Sequence, residues 1–116
     1  MIGSTRQLSV HAYGRPVDMR NGFDGLCAVV THHMTRDPVS GELFLFVSRN
    51  RRRAKVLLWD GTGLCIYAKR LEQGRFACVW KDKDQASLNL PMTELQLFLE
   101  GSDLIGKISL SPAAFL

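Results

Sequence analysis

The chain has 116 residues, of which 46% are hydrophobic and 22% are charged, and its net charge at pH 7 is +4. This length predicts one domain with a core of its own, and the composition excludes a disordered chain. The charge excess is modest, so the distribution of the basic residues is more informative than their total.

The cysteines and the N-terminus indicate in which cellular compartment the protein is expected. The 3 cysteines form no CxxC pair and lie in apolar runs, which favours free, buried thiols in a reducing environment. The N-terminus lacks the apolar core of a signal peptide, and no apolar run approaches about 20 residues. We therefore expect a cytoplasmic protein that does not contact a membrane.

The first third of the chain predicts a strand followed by a helix. Residues 8–12 alternate between apolar and polar side chains, as in a half-buried strand. Asp18 is predicted to cap a helix that runs to about His33. Side chains at i, i+3, i+4 and i+7 form the apolar face of this helix, and they are Phe23, Leu26, Cys27 and Val30.

From Leu43 the pattern changes to strands, which are predicted at residues 43–47, 54–59, 64–68, 75–80 and 86–90. The first of them is a continuous apolar run, typical of a strand that is buried on both faces. Asp60-Gly61 is the strongest hairpin signal in the chain. Pro91 fits the first turn of a second helix, which ends at Gly101.

The connections between the middle strands are short, and a parallel crossover needs about a dozen residues or more. We therefore predict an α+β fold: a single domain with an antiparallel β-sheet of five to six strands and two helices packed on one face. The tail, residues 102–116, predicts either an edge strand built on Ile105, Ile108 and Leu110 or a segment that docks on a partner. An apolar edge can pair across a two-fold axis, so we expect a homodimer.

The sequence offers little for catalysis, and it predicts no enzyme, no metal site and no cofactor. His32 and His33 are adjacent, so on a helix their rings point about 100° apart and cannot readily bind one ion. The aspartates lie mostly in turns and caps, where they favour local hydrogen bonds. A two-metal nuclease would need acidic groups that converge, and the spacing of Asp18, Asp24 and Asp60 gives that hypothesis little support.

Basic residues form two clusters around the predicted hairpin, and 5 of the 15 Lys and Arg residues fall between Arg49 and Lys55. Cations that neutralise phosphates release counterions, so the clusters predict a nucleic-acid-binding surface. The alternative is a solvated turn whose charges protect the sheet from edge-to-edge pairing. Among the strand aromatics, we expect only Tyr67 or Trp80 to reach the surface. The predicted nucleic-acid-binding residues are Arg49, Arg51, Arg52, Arg53, Lys55, Lys69, Arg70 and Arg75.

A family resemblance begins at residues 17–26, where VDMRNGFDGL resembles a "DMRxGFDGL" signature. That signature is typical of the TnpB family, the product of the second open reading frame of IS-sixty-six-type bacterial insertion sequences. The resemblance continues through residues 40–46, 55–60 and 67–76, and it covers the chain from about Val17 to Gly101. The chain departs from the family at Asn21, where Lys or Arg is usual, and in the tail.

The resemblance implies an accessory protein that assists transposition and is encoded beside a separate, larger transposase. It carries over no catalytic residue. Together with the basic clusters, it predicts a factor that binds element DNA at the transposon ends, or the transposase–DNA complex. The alternative is a protein–protein adaptor that contacts the transposase of the same element without touching nucleic acid.

Overall fold

The computed structural model describes residues 9–80 and 87–101, which form a five-stranded sheet with two helices. In chain order the strands are β1 (Val10–Tyr13), β2 (Leu43–Val47), β3 (Arg53–Trp59), β4 (Leu64–Arg70) and β5 (Ser87–Leu90). The helices are α1 (Phe23–His32) and α2 (Met92–Leu99). Neither of these described helices is long and apolar enough to cross a membrane.

The strand order is β4-β3-β2-β1-β5, and the sheet is mixed. β1 pairs with β2 in parallel, with Val10 opposite Leu43, whereas the other pairings are antiparallel. The prediction of a purely antiparallel sheet is therefore wrong. Short connections do join β2, β3 and β4, but the connection from β1 to β2 contains α1 and is long enough for a parallel crossover.

Each face of the sheet carries its own core. α1 packs over Phe44 and Phe46 of β2, whereas α2 and residues 76–79 pack over Leu45 and Val47. Side chains alternate between the faces of a strand, so all five residues of β2 are buried. The helices lie on opposite faces and not on one face as predicted, because a strand that is apolar on both sides must be covered on both sides.

The boundaries of α1 correct two predictions. The helix begins after Gly22 without a side-chain cap, and Asp18 instead accepts a hydrogen bond from the backbone N–H of Arg20 at 2.8 Å. Phe23 was predicted on the apolar face but is 48% exposed, because it occupies the first turn, at the margin of the core. Leu26 and Val30 are buried as predicted.

Residues 75–80 do not form the predicted strand. Their apolar residues are buried because the segment crosses the α2 face of the sheet, where the Phe76 ring stacks on Phe98 with 5.0 Å between centroids. The Phe76 N–H donates to the Arg51 carbonyl oxygen at 2.6 Å, so it does not join a strand ladder. The helix after Pro91 is confirmed. Leu8, Ala86 and the tail lie outside the described residues.

The cysteines fit the prediction only in part. Cys27, Cys65 and Cys78 are free, but each is half-buried and none is fully buried.

Lys55 on β3 joins the sheet to the loop that precedes α1. Its ammonium group donates to the carbonyl oxygens of Met19 at 2.8 Å and Asn21 at 2.7 Å, in a part-buried position. The Asn21 amide in turn donates to the Asp18 carbonyl oxygen at 2.9 Å. Hydrogen bonds from a charged donor are stronger than neutral ones, so this contact holds the loop over β3.

Lys69 on β4 has a similar role on the opposite face. Its ammonium group donates to the carbonyl oxygen of Leu99, the last residue of α2, at 2.6 Å. A cation at a helix C-terminus satisfies an unpaired carbonyl and complements the helix dipole. Lys69 therefore ties α2 to the hairpin.

The hairpin turn is organised by Asp60. One of its carboxylate oxygens accepts the Thr62 N–H at 2.8 Å, the Thr62 hydroxyl at 3.0 Å and the Gly63 N–H at 2.9 Å. Gly61 has a φ of +105°, which other residues rarely adopt. The hydrogen bonds, led by that from the Thr62 N–H, lower the pKa of Asp60 from 3.8 to about 2.

Replacing Lys55→Met should lower the free energy of unfolding by about 2 kcal/mol, because two charge-assisted hydrogen bonds are lost and the loop carbonyls lose their partner. Urea denaturation measures this change. Arg53→Met is the matched control, since it removes the same charge from the same strand at an exposed position and should change stability by less than about 0.5 kcal/mol. Equal effects of the two substitutions would contradict the role given to Lys55.

The lowered pKa of Asp60 predicts a pH-dependent contribution to stability. The folded state favours the ionised carboxylate, so this contribution is present above pH 3.8 and is lost as the pH falls toward about 2. The difference in unfolding free energy between the wild type and Asp60→Ala should therefore be largest above about pH 4 and shrink toward pH 2. Denaturant titrations at several pH values measure it, and a difference that does not vary with pH would contradict the assignment.

Candidate nucleic-acid interface

The arginines of the two basic clusters meet at one end of the sheet. Residues 48–52, which join β2 to β3, lie beside residues 71–76, which follow β4. The Leu71 N–H donates to the Arg52 carbonyl oxygen at 2.8 Å, and the Phe76 N–H reaches the Arg51 carbonyl oxygen at 2.6 Å. The residues that this arrangement brings together are Arg49, Arg51, Arg52, Arg53, Arg70 and Arg75.

The turn between β2 and β3 is held by its own polar groups. The Ser48 hydroxyl contacts the Asn50 side-chain oxygen at 2.8 Å and accepts the Arg53 N–H at 3.1 Å. Arg51 has a φ of +60°, in the left-handed region that favours glycine. A non-glycine residue there costs roughly 1–3 kcal/mol, which the surrounding hydrogen bonds offset. The arginines thus project from a defined turn.

Arg53 and Arg70 are direct cross-strand partners, so their side chains leave the same face of the hairpin, the α1 face. Like charges opposite each other destabilise a sheet. Arg70 has a partner in Glu72, with Nε–Oε2 at 2.9 Å, but both side chains are more than half exposed and the pair contributes little. Within the described residues, the Arg53 side chain makes no hydrogen bond or ion pair. The positive potential around Arg53 and Arg70 is therefore only partly offset by Glu72.

Two open grooves adjoin at Met19 and Arg53. The first has a volume of about 640 Å³, and its lining residues are Pro16, Val17, Asp18, Met19, Ser48, Arg49, Asn50 and Arg53. The second has a volume of about 440 Å³, and its lining residues are Met19, Arg53, Ala54, Lys55, Ala68, Lys69, Arg70 and Glu72. Arg53 lines both grooves, Arg49 lines the first and Arg70 lines the second, so three guanidinium groups border the two grooves.

Asp18 is an acidic group in the wall of the first groove, and it is paired with Arg20. The closest contact of the pair is 2.6 Å, between Oδ2 of Asp18 and Nη2 of Arg20. Side-chain and backbone hydrogen bonds from Arg20 lower the pKa of Asp18 to about 2. Arg20 remains 92% exposed beside the groove. Arg20 was not among the predicted binding residues, although its position within the signature could have identified it as a candidate.

The ammonium groups of both lysines bind backbone carbonyl oxygens, although both residues line the second groove beside Arg53 and Arg70. Lys55 leaves the same face as Arg53, but its ammonium group is already bound by two loop carbonyl oxygens. Lys69 leaves the opposite face, because it is adjacent in sequence to Arg70 and side chains alternate along a strand. Of the predicted binding residues, Arg49, Arg53 and Arg70 line the grooves, whereas Arg51 and Arg52 donate to the carbonyl oxygens of Phe76 at 3.4 Å and Glu72 at 3.2 Å. The two lysines hold the loop before α1 and the end of α2.

The aromatic residues do not form a stacking platform beside this surface. Phe44, Phe46 and Phe76 are fully buried, as predicted. Trp80 packs against the core, whereas Tyr67 is 50% exposed. Tyr67 leaves the same face as Lys69, opposite to Arg53 and Arg70. Among the described residues, none of these aromatic side chains is therefore placed to stack on a base beside the arginines.

The hypothetical nuclease site does not form. Asp18 lies near Arg53 at the start of β3, whereas Asp60 follows Trp59 at its end, about 20 Å away for a strand of this length. Within residues 9–80 and 87–101, no group of three His, Cys, Asp or Glu residues is placed to hold a metal ion. Asp18 and Asp60 are therefore too far apart to bind one metal ion.

A buried polar contact marks the opposite end of the sheet. His11 on β1 is 3% exposed, and its Nε2 lies 2.6 Å from Oε2 of Glu42, just before β2. Burial raises the pKa of Glu42, but hydrogen bonds and charges from His11, Ser40 and Arg36 outweigh it and lower that pKa overall. The contact ties β1 to the loop that leads into β2.

Comparison with known proteins agrees with the resemblance of the signature. The family described as "IS66 Orf2 like protein" matches residues 8–107. The uncharacterized protein y4jC of Sinorhizobium fredii (strain NBRC 101917 / NGR234) is 33% identical over 103 residues, which cover 89% of this chain and 86% of its own. The uncharacterized protein y4hO of the same strain is also 33% identical over 103 residues, covering 89% of this chain and 88% of its own. No solved structure matches.

The family match is longer than the signature residues indicate. It begins before Val17, so it includes β1, and it continues past Gly101 into the tail, of which residues 102–107 therefore belong to the match. More than half of the chain is matched, and the relatives align over most of their own length. The chain belongs to the IS66 Orf2-like family of accessory proteins of bacterial insertion sequences.

Proposed function

We propose that the protein is a non-catalytic accessory factor in transposition that binds the DNA of its element, or the complex of that DNA with the transposase, through the arginine-bearing end of the sheet. The observation that carries this proposal is the direct pairing of Arg53 with Arg70 on one face, between two grooves. The repulsion between these partners opposes folding, whereas an anion bound between them would relieve it. The pair is better suited to a ligand than to the stability of the sheet.

The chemistry of the surface favours phosphate. A guanidinium group donates to two oxygens at once, which matches phosphate geometry better than an ammonium group does. Arg49, Arg52 and Arg53 are exposed, so they can reach an extended backbone. Pro16 and Met19 give the groove an apolar wall suited to contact with sugar carbons. Such contacts position a nucleic acid without reading its sequence.

The double variant Arg49→Ala, Arg53→Ala tests the surface. Binding to terminal-repeat DNA, followed by fluorescence anisotropy at several salt concentrations, should weaken by roughly tenfold per arginine, because each loses a charge-assisted contact. The slope of log K against log salt should become less steep by about 0.9 for each phosphate contact that is lost. Within the described residues, neither side chain makes a hydrogen bond, so the free energy of unfolding should change little.

Arg36→Ala is the matched control, because it removes an exposed positive charge near Glu42, at the opposite end of the sheet. It should leave both the affinity and the salt slope nearly unchanged. Equal losses in the control and the double variant would indicate a net-charge effect. Unchanged binding in the double variant, or no binding at low salt, would contradict the proposal. Retention of the transposase in a pull-down from nuclease-treated lysate would then indicate the adaptor role.

A further inference from the structure

Within the described residues, β4 is a long edge strand of the sheet. It has seven residues and pairs with β3 on one side, and no strand of the described residues pairs with its outer side. Native edge strands are usually protected by proline, bulges, charged side chains or short length, and the charged residues of β4, Lys69 and Arg70, both lie at its C-terminal end. The ladder between β3 and β4 is continuous, and the centre of β4 is the uncharged sequence Ile66-Tyr67-Ala68. By contrast β5, at the other edge, has four residues and is followed by Pro91.

The hydrogen bonds that flank the hairpin ladder show which backbone groups face outward. Leu71 donates to the Arg52 carbonyl oxygen at 2.8 Å, and Asp60 donates to that of Gly63 at 3.1 Å. Hydrogen-bonded and non-hydrogen-bonded pairs alternate in an antiparallel ladder. The residues of β4 that bond to β3 are therefore Cys65, Tyr67 and Lys69. Those whose N–H and C=O groups point away from the sheet are Leu64, Ile66, Ala68 and Arg70.

We propose that the outer edge of β4 pairs in antiparallel fashion with β4 of a second copy of the chain, across a two-fold axis at Tyr67. All four outward-facing residues then form hydrogen-bonded pairs, Leu64 with Arg70 of the partner subunit and Ile66 with Ala68 of the partner subunit. Tyr67 meets its own copy in a non-hydrogen-bonded pair, in which side chains approach most closely. The sheets of the two copies become continuous.

The charges on β4 select this register. An axis at Tyr67 places Lys69 opposite Cys65 and Arg70 opposite Leu64, so no like charges face each other. An axis at Lys69 would place the ammonium group opposite its own copy, which is unfavourable. Tyr67 is 50% exposed in the single chain, and pairing would cover the ring with the equivalent ring of the partner subunit.

The proposal does not depend on DNA binding. The first groove has no β4 residue in its lining, so pairing of the β4 backbones leaves it open. Ala68 and Arg70 line the second groove, which would then lie beside the partner strand. The two arginine-bearing ends would lie at opposite ends of the joined strands, with the Arg70 residues separated along the strand direction by about six residues, or roughly 20 Å. The dimer would then present two basic surfaces related by symmetry.

Size-exclusion chromatography with light scattering of the full chain tests the dimer. The expected mass is twice the 13.0 kDa of one chain. Tyr67→Lys places an ammonium group opposite its own copy and should give a monomer with an unchanged circular dichroism spectrum, whereas Tyr67→Phe keeps the ring and should stay dimeric. A wild-type monomer would overturn the proposal, because another segment of the chain or none would then cover the edge.

Disulfide formation tests the register. In a chain with Cys27, Cys65 and Cys78 replaced by serine, Tyr67→Cys should give a covalent dimer under mild oxidation. The Cα atoms of a non-hydrogen-bonded pair lie about 4.5 Å apart, within the range that a disulfide spans. Ala68→Cys is the matched control, since it faces the other side of the sheet and opposes Ile66, and it should cross-link slowly. A dimer that links through residue 68 in preference to residue 67 would overturn the axis at Tyr67.

Discussion

One ammonium group holds together the parts of the molecule on which the candidate site depends. Lys55 extends from β3 and binds two carbonyl oxygens of the loop before α1, at 2.8 Å and 2.7 Å. The loop therefore lies over the hairpin, and Met19 is placed where it lines both grooves. The same contact holds in place the loop that carries the signature residues Asp18 and Arg20.

The lysines and arginines of β3 and β4 differ in what they bind. Lys55 and Lys69 donate to backbone carbonyls at the edges of the two cores, where they replace water and hold a loop and a helix. Arg53 and Arg70 lie at the margin of one face, beyond the cover of α1, and remain exposed. Among these four residues the ammonium groups bind backbone carbonyls and the Arg53 and Arg70 guanidinium groups stay exposed, which agrees with their different hydration and hydrogen-bonding geometry.

The fold was predictable where local signals agree with the tertiary structure. Apolar periodicity located α1 and α2, and Asp60-Gly61 located the hairpin, because these signals act over a few residues. The same reasoning failed for residues 75–80, whose alternation reflects burial against the α2 face and not pairing in a ladder. It also failed for Asp18, because a favoured cap residue forms hydrogen bonds with whichever N–H lies closest, here that of Arg20. Periodicity reports which side chains are buried, but not what buries them.

The sequence by itself determined the family, the α+β class and the hairpin, and it showed that the basic residues fall into two clusters. Only the tertiary structure decided that β1 runs parallel to β2, that the helices cover opposite faces, and that the two arginine clusters share one end of the sheet while Lys55 and Lys69 bind backbone carbonyls. The reason is physical. Strand pairing and the partners of a charged side chain depend on residues distant in sequence, such as Lys55 and Met19, whose proximity exists only once both cores have formed.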